Sequence, residues 1–303
     1  MRSPTEWRIY IDWHTKYVGL TLRVSRVIYS RKTRYQEVDI VESPDLGKCL
    51  IIDGAVQSST FDEYIYHEAL VHPAMLTAKD PKNVLVIGGG EGATMREILK
   101  YDVQKIKVID IDEELIELCK KHLEEMHKGS FYDDRVEIIF TDGMRYIEDN
   151  KDKYDVIILD VTDPTEGTSQ PLYTKEFYSL LKDRLNDGGC IVTQATSPQF
   201  STDCFTIIHN TMEQVFKYVR AYNAPVRSYG GLWGFVIASD YEDPLDADKN
   251  FDRIKGELSF YDKDNHKALF ALGRNVKNRL DKEDRIATRD NMIYMPAMLN
   301  HPE

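Results

Sequence analysis

Five carboxylates stand where short apolar runs end. Glu91 follows Val84–Ile87, Asp110 closes the run from Ile106, Asp142 follows Val136–Phe140, and Asp160 and Asp163 follow Val156–Leu159. Runs this apolar suit strands covered on both faces of a parallel sheet. The carboxyl ends of such strands share one edge, and ligands bind there. One acid in such a place is a loop residue or a helix cap. Five in succession make a strongly negative cleft, able to hold ammonium or sulfonium groups and to take a proton from one of them.

The first run ends in Gly88-Gly89-Gly90-Glu91-Gly92-Ala93. Gly88, Gly90 and Ala93 satisfy the dinucleotide fingerprint, while Gly88, Gly90 and Gly92 satisfy the nucleoside-binding turn of methyltransferase-like folds. Asp110 and Asp112, about twenty residues on, suit ribose hydroxyls in either case. Thr141-Asp142-Gly143 falls at the third strand, where methyltransferase-like folds present the adenine edge. An NAD pyrophosphate would meet Glu91 inside its own turn, and two like charges roughly 4 Å apart repel by about 4 kcal/mol at an effective dielectric of 20. An ordinary methyltransferase usually carries an acid two residues before its first turn glycine, but that position is Val86. The acid lies instead at Glu91, toward the reacting end of the cleft. A cationic nucleoside fits this pattern better than either rival.

The elements that position these residues follow from periodicity. Residues 7–12, 20–24 and 38–40 alternate as short strands, and Cys49–Ile52 runs into an Asp53-Gly54 hairpin turn. Thr60 and Glu63 read as a capping box that opens a helix, with Pro73 marking a bend or break. Beyond Asn83, strands and helices alternate to Ala238. The reading is an α/β chain: a small antiparallel β-domain at 1–70, a Rossmann-like, methyltransferase-type doubly wound sheet at 71–240, and a charged C-terminal extension at 241–303.

Composition narrows the class further. The 303 residues are 42% hydrophobic and carry a net charge of −12, which suits a folded, soluble chain and argues against binding nucleic acid or an anionic membrane. No apolar run reaches the roughly 18 residues of a membrane span, and no signal peptide is visible. Cys49, Cys119, Cys190 and Cys204 have neither disulfide nor zinc spacing, as expected of buried thiols in a reducing cytoplasm. His67 has no partner at zinc spacing, so no metal is expected.

The ordered set of motifs resembles the polyamine aminopropyltransferases, the spermidine synthase family, over residues 5–240. The resemblance runs through Tyr35-Gln36, Asp53-Gly54 with Val56-Gln57, Asp62-Glu63-Tyr64-Ile65-Tyr66-His67-Glu68, the glycine turn, Asp110-Ile111-Asp112, Asp142-Gly143, Asp160-Val161-Thr162-Asp163-Pro164, Leu172 to Tyr178 and Val192-Thr193-Gln194. It implies transfer of the aminopropyl group of decarboxylated S-adenosylmethionine, a co-substrate rather than a cofactor, to an amine such as putrescine, with release of methylthioadenosine. It implies a homodimer or homotetramer. By position, Gln36, Glu91, Asp110, Asp142 and Gly143 serve the donor. Tyr66 and His67 line the junction of the substrates, Asp163 holds an acceptor ammonium, Tyr229 lines the acceptor site, and Asp160 is the base. Trp233 and the Thr165–Gln170 loop look more like thermospermine synthases and archaeal members, so putrescine, agmatine, a longer diamine and spermidine all stand as acceptors. Glu166, on that loop, is a further acid near the cleft. The competing classes are an ordinary methyltransferase, an NAD oxidoreductase and a non-catalytic polyamine-binding protein.

Overall fold

The computed structural model describes residues 8–165 and 169–295; Trp7 and Glu166 lie outside them. Strands β1 (Arg8–Trp13) and β2 (Gly19–Val24) pair as an antiparallel hairpin. Strands β3 (Arg26–Lys32), β4 (Glu37–Ser43), β5 (Gly47–Ile52) and β6 (Ala55–Ser59) form a four-stranded antiparallel meander. The turn between β5 and β6 puts both Asp53 (φ 48°) and Gly54 (φ 87°) in the left-handed region, as the Asp-Gly pair requires.

Helix α1 (Glu63–Thr77) leads into the second layer system. There follow β7 (Asn83–Gly88), α2 (Ala93–Ile98), β8 (Lys105–Asp110), α3 (Glu113–His122), α4 (Glu124–His127), β9 (Val136–Phe140), α5 (Gly143–Asp149) and β10 (Tyr154–Asp160). After these come α6 (Lys175–Lys182), β11 (Leu185–Gln194), α7 (Thr202–Glu213), β12 (Tyr218–Val226), β13 (Gly231–Ser239), α8 (Lys263–Leu269) and α9 (Arg274–Leu280). The seven strands order as β12-β13-β11-β10-β7-β8-β9. Five are parallel. Strand β13 runs antiparallel to β11 and to β12, so the sheet is mixed rather than wholly parallel. Val84 and Val86 of β7 point into one core layer, Leu85 and Ile87 into the other, which is why the run reads as uninterrupted apolar residues.

Two expectations about α1 are corrected. Thr60 does not cap it: its hydroxyl accepts the Lys48 N–H at 3.0 Å, and Glu63 spends its carboxylate on Arg96 and His67. Nor does Pro73 break it. Proline cannot donate to the carbonyl of Ala69, four residues back, but the Tyr222 hydroxyl, arriving from β12, donates to that carbonyl at 2.9 Å. With the freed acceptor satisfied, the helix runs on to Thr77. The helix expected across residues 267–280 is two short ones, α8 and α9.

Candidate active site

The register of the parallel strands brings the acids together. Asp160, the last residue of β10, pairs with Gly88, the last of β7; Asp110 ends the neighbouring β8. On either side of β7 the crossovers leave in opposite directions, the switch point at which such sheets open a crevice. One cavity there is lined by Gln36, Tyr66, Gly88 to Glu91, Asp110, Asp142, Gly143, Asp160, Asp163, Tyr229 and Trp233.

The glycine turn owes its path to missing side chains. Gly88 has φ 85°, and a Cβ on it would lie 2.0 Å from the Asp160 carbonyl oxygen, which accepts the Gly89 N–H at 3.0 Å. This contact clamps the turn to the end of β10. Asp110 is held by the Asp112 N–H at 2.9 Å, and burial, then the charges of Asp112 and Glu91, push its pKa up to about 7. Gln36 donates to Asp112 at 2.9 Å, closing the meander over β8. Asp142 caps α5 by accepting the Arg145 N–H at 3.0 Å, and Gly143 follows it because a Cβ would meet Ile87 at 2.7 Å.

Asp160 is tightly oriented. One carboxylate oxygen accepts from the Tyr66 hydroxyl at 2.7 Å, the other from the Thr94 hydroxyl at 2.5 Å. Burial and the nearby Glu91 raise its pKa, against the pull of His67 and of both hydroxyls. Asp163 accepts from Gln194 at 3.1 Å, and burial pushes it up to about 6. Tyr66 sits edge-on to Tyr229 with ring centroids 5.6 Å apart, and Tyr229 edge-on to Trp233 at 4.8 Å, so the three form an aromatic wall beside the acids.

His67 does not line the cavity. It is fully buried behind Glu91, with Nε2 3.0 Å from the Glu91 carboxylate and Nδ1 3.0 Å from that of Glu63. Burial disfavours the imidazolium, but Glu91 and Glu63 outweigh it and hold its pKa well above the ordinary value. Arg96 grips Glu63 through both terminal nitrogens at 2.7 and 2.9 Å and Glu97 through its Nε at 2.8 Å; Glu97 in turn meets His72 at 3.0 Å. Charges thus alternate inward from Glu91, and each buried ion has a counter-ion. His67, Glu91 and Asp160 have ligand atoms within 4.8 Å of one another and could hold a cation.

Thr94 and Asp12 escape a reading of the sequence, and Gln57 is read there only as part of a motif. Thr94 is hidden as the second residue of α2, and what Gln57 contributes is its backbone carbonyl, which accepts from Tyr229. Asp12 is hidden by inversion of the expected strand face: Ile9 and Ile11 of β1 are exposed, and Asp12 is turned inward.

The chain matches known families along most of its length. Residues 8–60 match the family described as Spermidine synthase tetramerisation domain, and residues 63–249 that described as Spermine/spermidine synthase domain. A polyamine aminopropyltransferase of Saccharolobus islandicus is 49% identical over 298 residues, covering 96% of this chain and 99% of the relative. Polyamine aminopropyltransferase 2 of Hyperthermus butylicus is 47% identical, covering 98% and 100%. A crystal structure of spermidine synthase in complex with the transition-state analogue AdoDATO superposes with a TM-score of 0.87 at 36% identity, covering 90% of this chain and 95% of the other. The spermidine synthase of Thermotoga maritima superposes at 0.85. Fold and relatives together define a transferase built on a Rossmann-like sheet. The chain belongs to the spermine/spermidine synthase family and is an enzyme of the aminopropyltransferase class.

Proposed function

We propose that this enzyme moves the aminopropyl group of decarboxylated S-adenosylmethionine to an amine that carries a second ammonium at its far end, putrescine being the smallest candidate. The observation that carries the reading is Asp160: a half-buried carboxylate of raised pKa, aimed by Tyr66 and Thr94, in one cavity with Asp110 and Asp163.

In this reading Asp110 accepts from the ribose hydroxyls, Asp142 and Gly143 flank the adenine, and Gln36 closes the donor side. Glu91 faces the donor's ammonium, and its charge, with that of Asp163, repels the carboxylate of ordinary S-adenosylmethionine. The acceptor's reacting nitrogen arrives as an ammonium of pKa about 10. It gives a proton to Asp160, and the freed lone pair attacks the propyl carbon bonded to sulfur. The C–S bond breaks as the C–N bond forms, and its electron pair stays on sulfur, so methylthioadenosine leaves as a neutral thioether. Little beyond alignment and proton removal is asked of the protein. Asp163 holds the distal ammonium, and Tyr66 and Tyr229 wall the path between. His67 acts at one remove, holding Glu91 from behind.

The reading extends to assembly and place: an oligomer, dimeric or tetrameric, built through residues 8–60, working in the cytoplasm with no cofactor besides its two substrates. No helix among the described residues is long and apolar enough to cross a membrane. The test compares putrescine with butylamine at fixed donor concentration. A monoamine loses one charge-assisted contact, so catalytic efficiency should fall by roughly 10–150-fold. Equal efficiencies would remove the distal anchor.

A further inference from the structure

Strand β11 ends in Gln194, which is 2% exposed and lines the cavity beside Asp163. Two residues on, Thr196 takes φ 63°, a left-handed conformation that a residue with a side chain keeps only where its surroundings hold it. The Thr196 N–H can only donate, and it meets Gln194 Oε1 at 2.9 Å. That contact fixes which way the amide faces. Nε2 must point to the other side, where it lies 3.0 Å from the Val161 carbonyl, 3.1 Å from the Asp163 carboxylate and 2.6 Å from the Tyr173 hydroxyl. Two N–H bonds thus serve three acceptors. Around them, the Thr162 carbonyl accepts from the Tyr173 hydroxyl at 3.0 Å and the Asp163 carbonyl from the Ser169 hydroxyl at 2.7 Å. The carbonyls of Val161, Thr162 and Asp163 are therefore each held by a side chain outside the stretch that carries them.

We propose that Gln194 is a positioning residue for acceptor choice: its amide pins the Asp163 carboxylate, with the backbone that carries it, to the end of β11 and so presents an aimed anion to the amine's distal ammonium. This rests on the reading that Asp163 holds that ammonium. The direction of the bond decides its effect. An N–H donor favours the ionised carboxylate, and Gln194 works against the burial that pushes Asp163 up to about 6. A cationic side chain in the same place would hold the carboxylate as firmly, but it would repel the ammonium that the carboxylate must receive. A neutral amide does not. The titratable groups that feel the Asp163 charge are Asp12 of β1, Tyr173, Cys204 of α7 and Tyr229. Of these only Asp12, at about 7, titrates near neutrality; burial pushes Cys204 up to about 12 and both tyrosines well above their ordinary value.

The test uses two variants. Gln194→Glu keeps an oxygen for the Thr196 N–H but turns an acceptor toward Asp163, and Gln194→Met fills the space and donates nothing. The readout is kcat/KM for putrescine divided by kcat/KM for butylamine, followed from about pH 5 to about pH 9 at saturating decarboxylated S-adenosylmethionine; kcat/KM reports the groups of the enzyme before the amine binds. The ratio cancels deprotonation by Asp160, which both amines need, and comparison with wild type cancels Asp12. In wild type the preference for putrescine should fall away as pH drops through about 6, where Asp163 takes up a proton. Losing the N–H raises that pKa, so in either variant the fall should come higher by about one to two pH units, carried by KM, with the preference returning on the alkaline side. Tyr173→Phe loosens the same stretch without taking a donor from the carboxylate, and it should not move the midpoint upward. An unmoved midpoint in a folded Gln194 variant, or the same upward shift in Tyr173→Phe, would overturn the inference and leave Asp163 as the anchor. A wild-type enzyme with no preference for putrescine at any pH would overturn the Asp163 reading and this inference with it.

Discussion

A carboxylate that must accept a proton from an ammonium has to be near, oriented and more basic than a free aspartate. Burial and Glu91 make Asp160 basic, and the two hydroxyls orient it. Asp160→Asn is expected to lower kcat by roughly 10²–10⁴, the usual worth of a general base, and to leave methylthioadenosine affinity near wild type; an unchanged kcat would take Asp160 out of the mechanism. Asp110→Ala should weaken methylthioadenosine by about 1.5–3 kcal/mol through lost charge-assisted bonds to ribose, readable by titration calorimetry. These acids are legible in the sequence because parallel strands end together, so residues far apart in the chain share an edge. Asp12 is illegible for a related reason. Alternation assigns apolar residues to the interior, whereas β1 turns Ile9 and Ile11 outward and buries an acid. Only pairing with β2 and the cavity beyond it decide which face is which.

Elements also carry constraints that no local pattern announces. Helix α1 survives Pro73 because a tyrosine about 150 residues later in the chain satisfies the Ala69 carbonyl. Tyr222→Phe removes that donor and leaves a buried acceptor bare, so stability should drop by about 1–3 kcal/mol, seen as a lower urea midpoint with kcat intact wherever the enzyme stays folded. Glu63→Gln should cost more, about 3–5 kcal/mol, since it strips the counter-ion shared by His67 and Arg96 in a buried chain of charges. Strands β7 to β11 were readable from their apolar runs. Strand β3 was not, because Val27-Ile28-Tyr29 runs without alternation between polar ends, its pairing with β4 shifts register between Val27 and Tyr29, and it lies at a sheet edge. Strand β12 was not either: Pro225 and Asn223 break its pattern, and only its pairing with β13 along nine residue pairs extends it.

At the scale of the whole molecule, a chain of net charge −12 has concentrated raised-pKa acids in one cavity. Asp12 and Asp110 lie at about 7 and Asp163 at about 6, all above their unfolded value of 3.8. A carboxyl group whose pKa is raised by folding stabilises the folded state while protonated, and that contribution is lost as pH rises toward the folded value. His209 and His266, held below their ordinary pKa by burial, act in the opposite direction, so the ligand-free melting curve mixes the two. The difference made by a cationic ligand isolates the cavity: the rise in Tm on adding spermidine should grow between about pH 5 and about pH 8, as the acids ionise and find a partner. A rise independent of pH would mean that the amine does not meet these carboxylates. The central claim, that an acid-lined nucleoside site selects a decarboxylated sulfonium and delivers its propyl amine to a polyamine, is tested most directly by mass spectrometry. The enzyme is offered S-adenosylmethionine and its decarboxylated form together, with putrescine and spermidine. The account predicts methylthioadenosine and amines heavier by one aminopropyl group, drawn from the decarboxylated donor alone. Methylated amines with S-adenosylhomocysteine would contradict it.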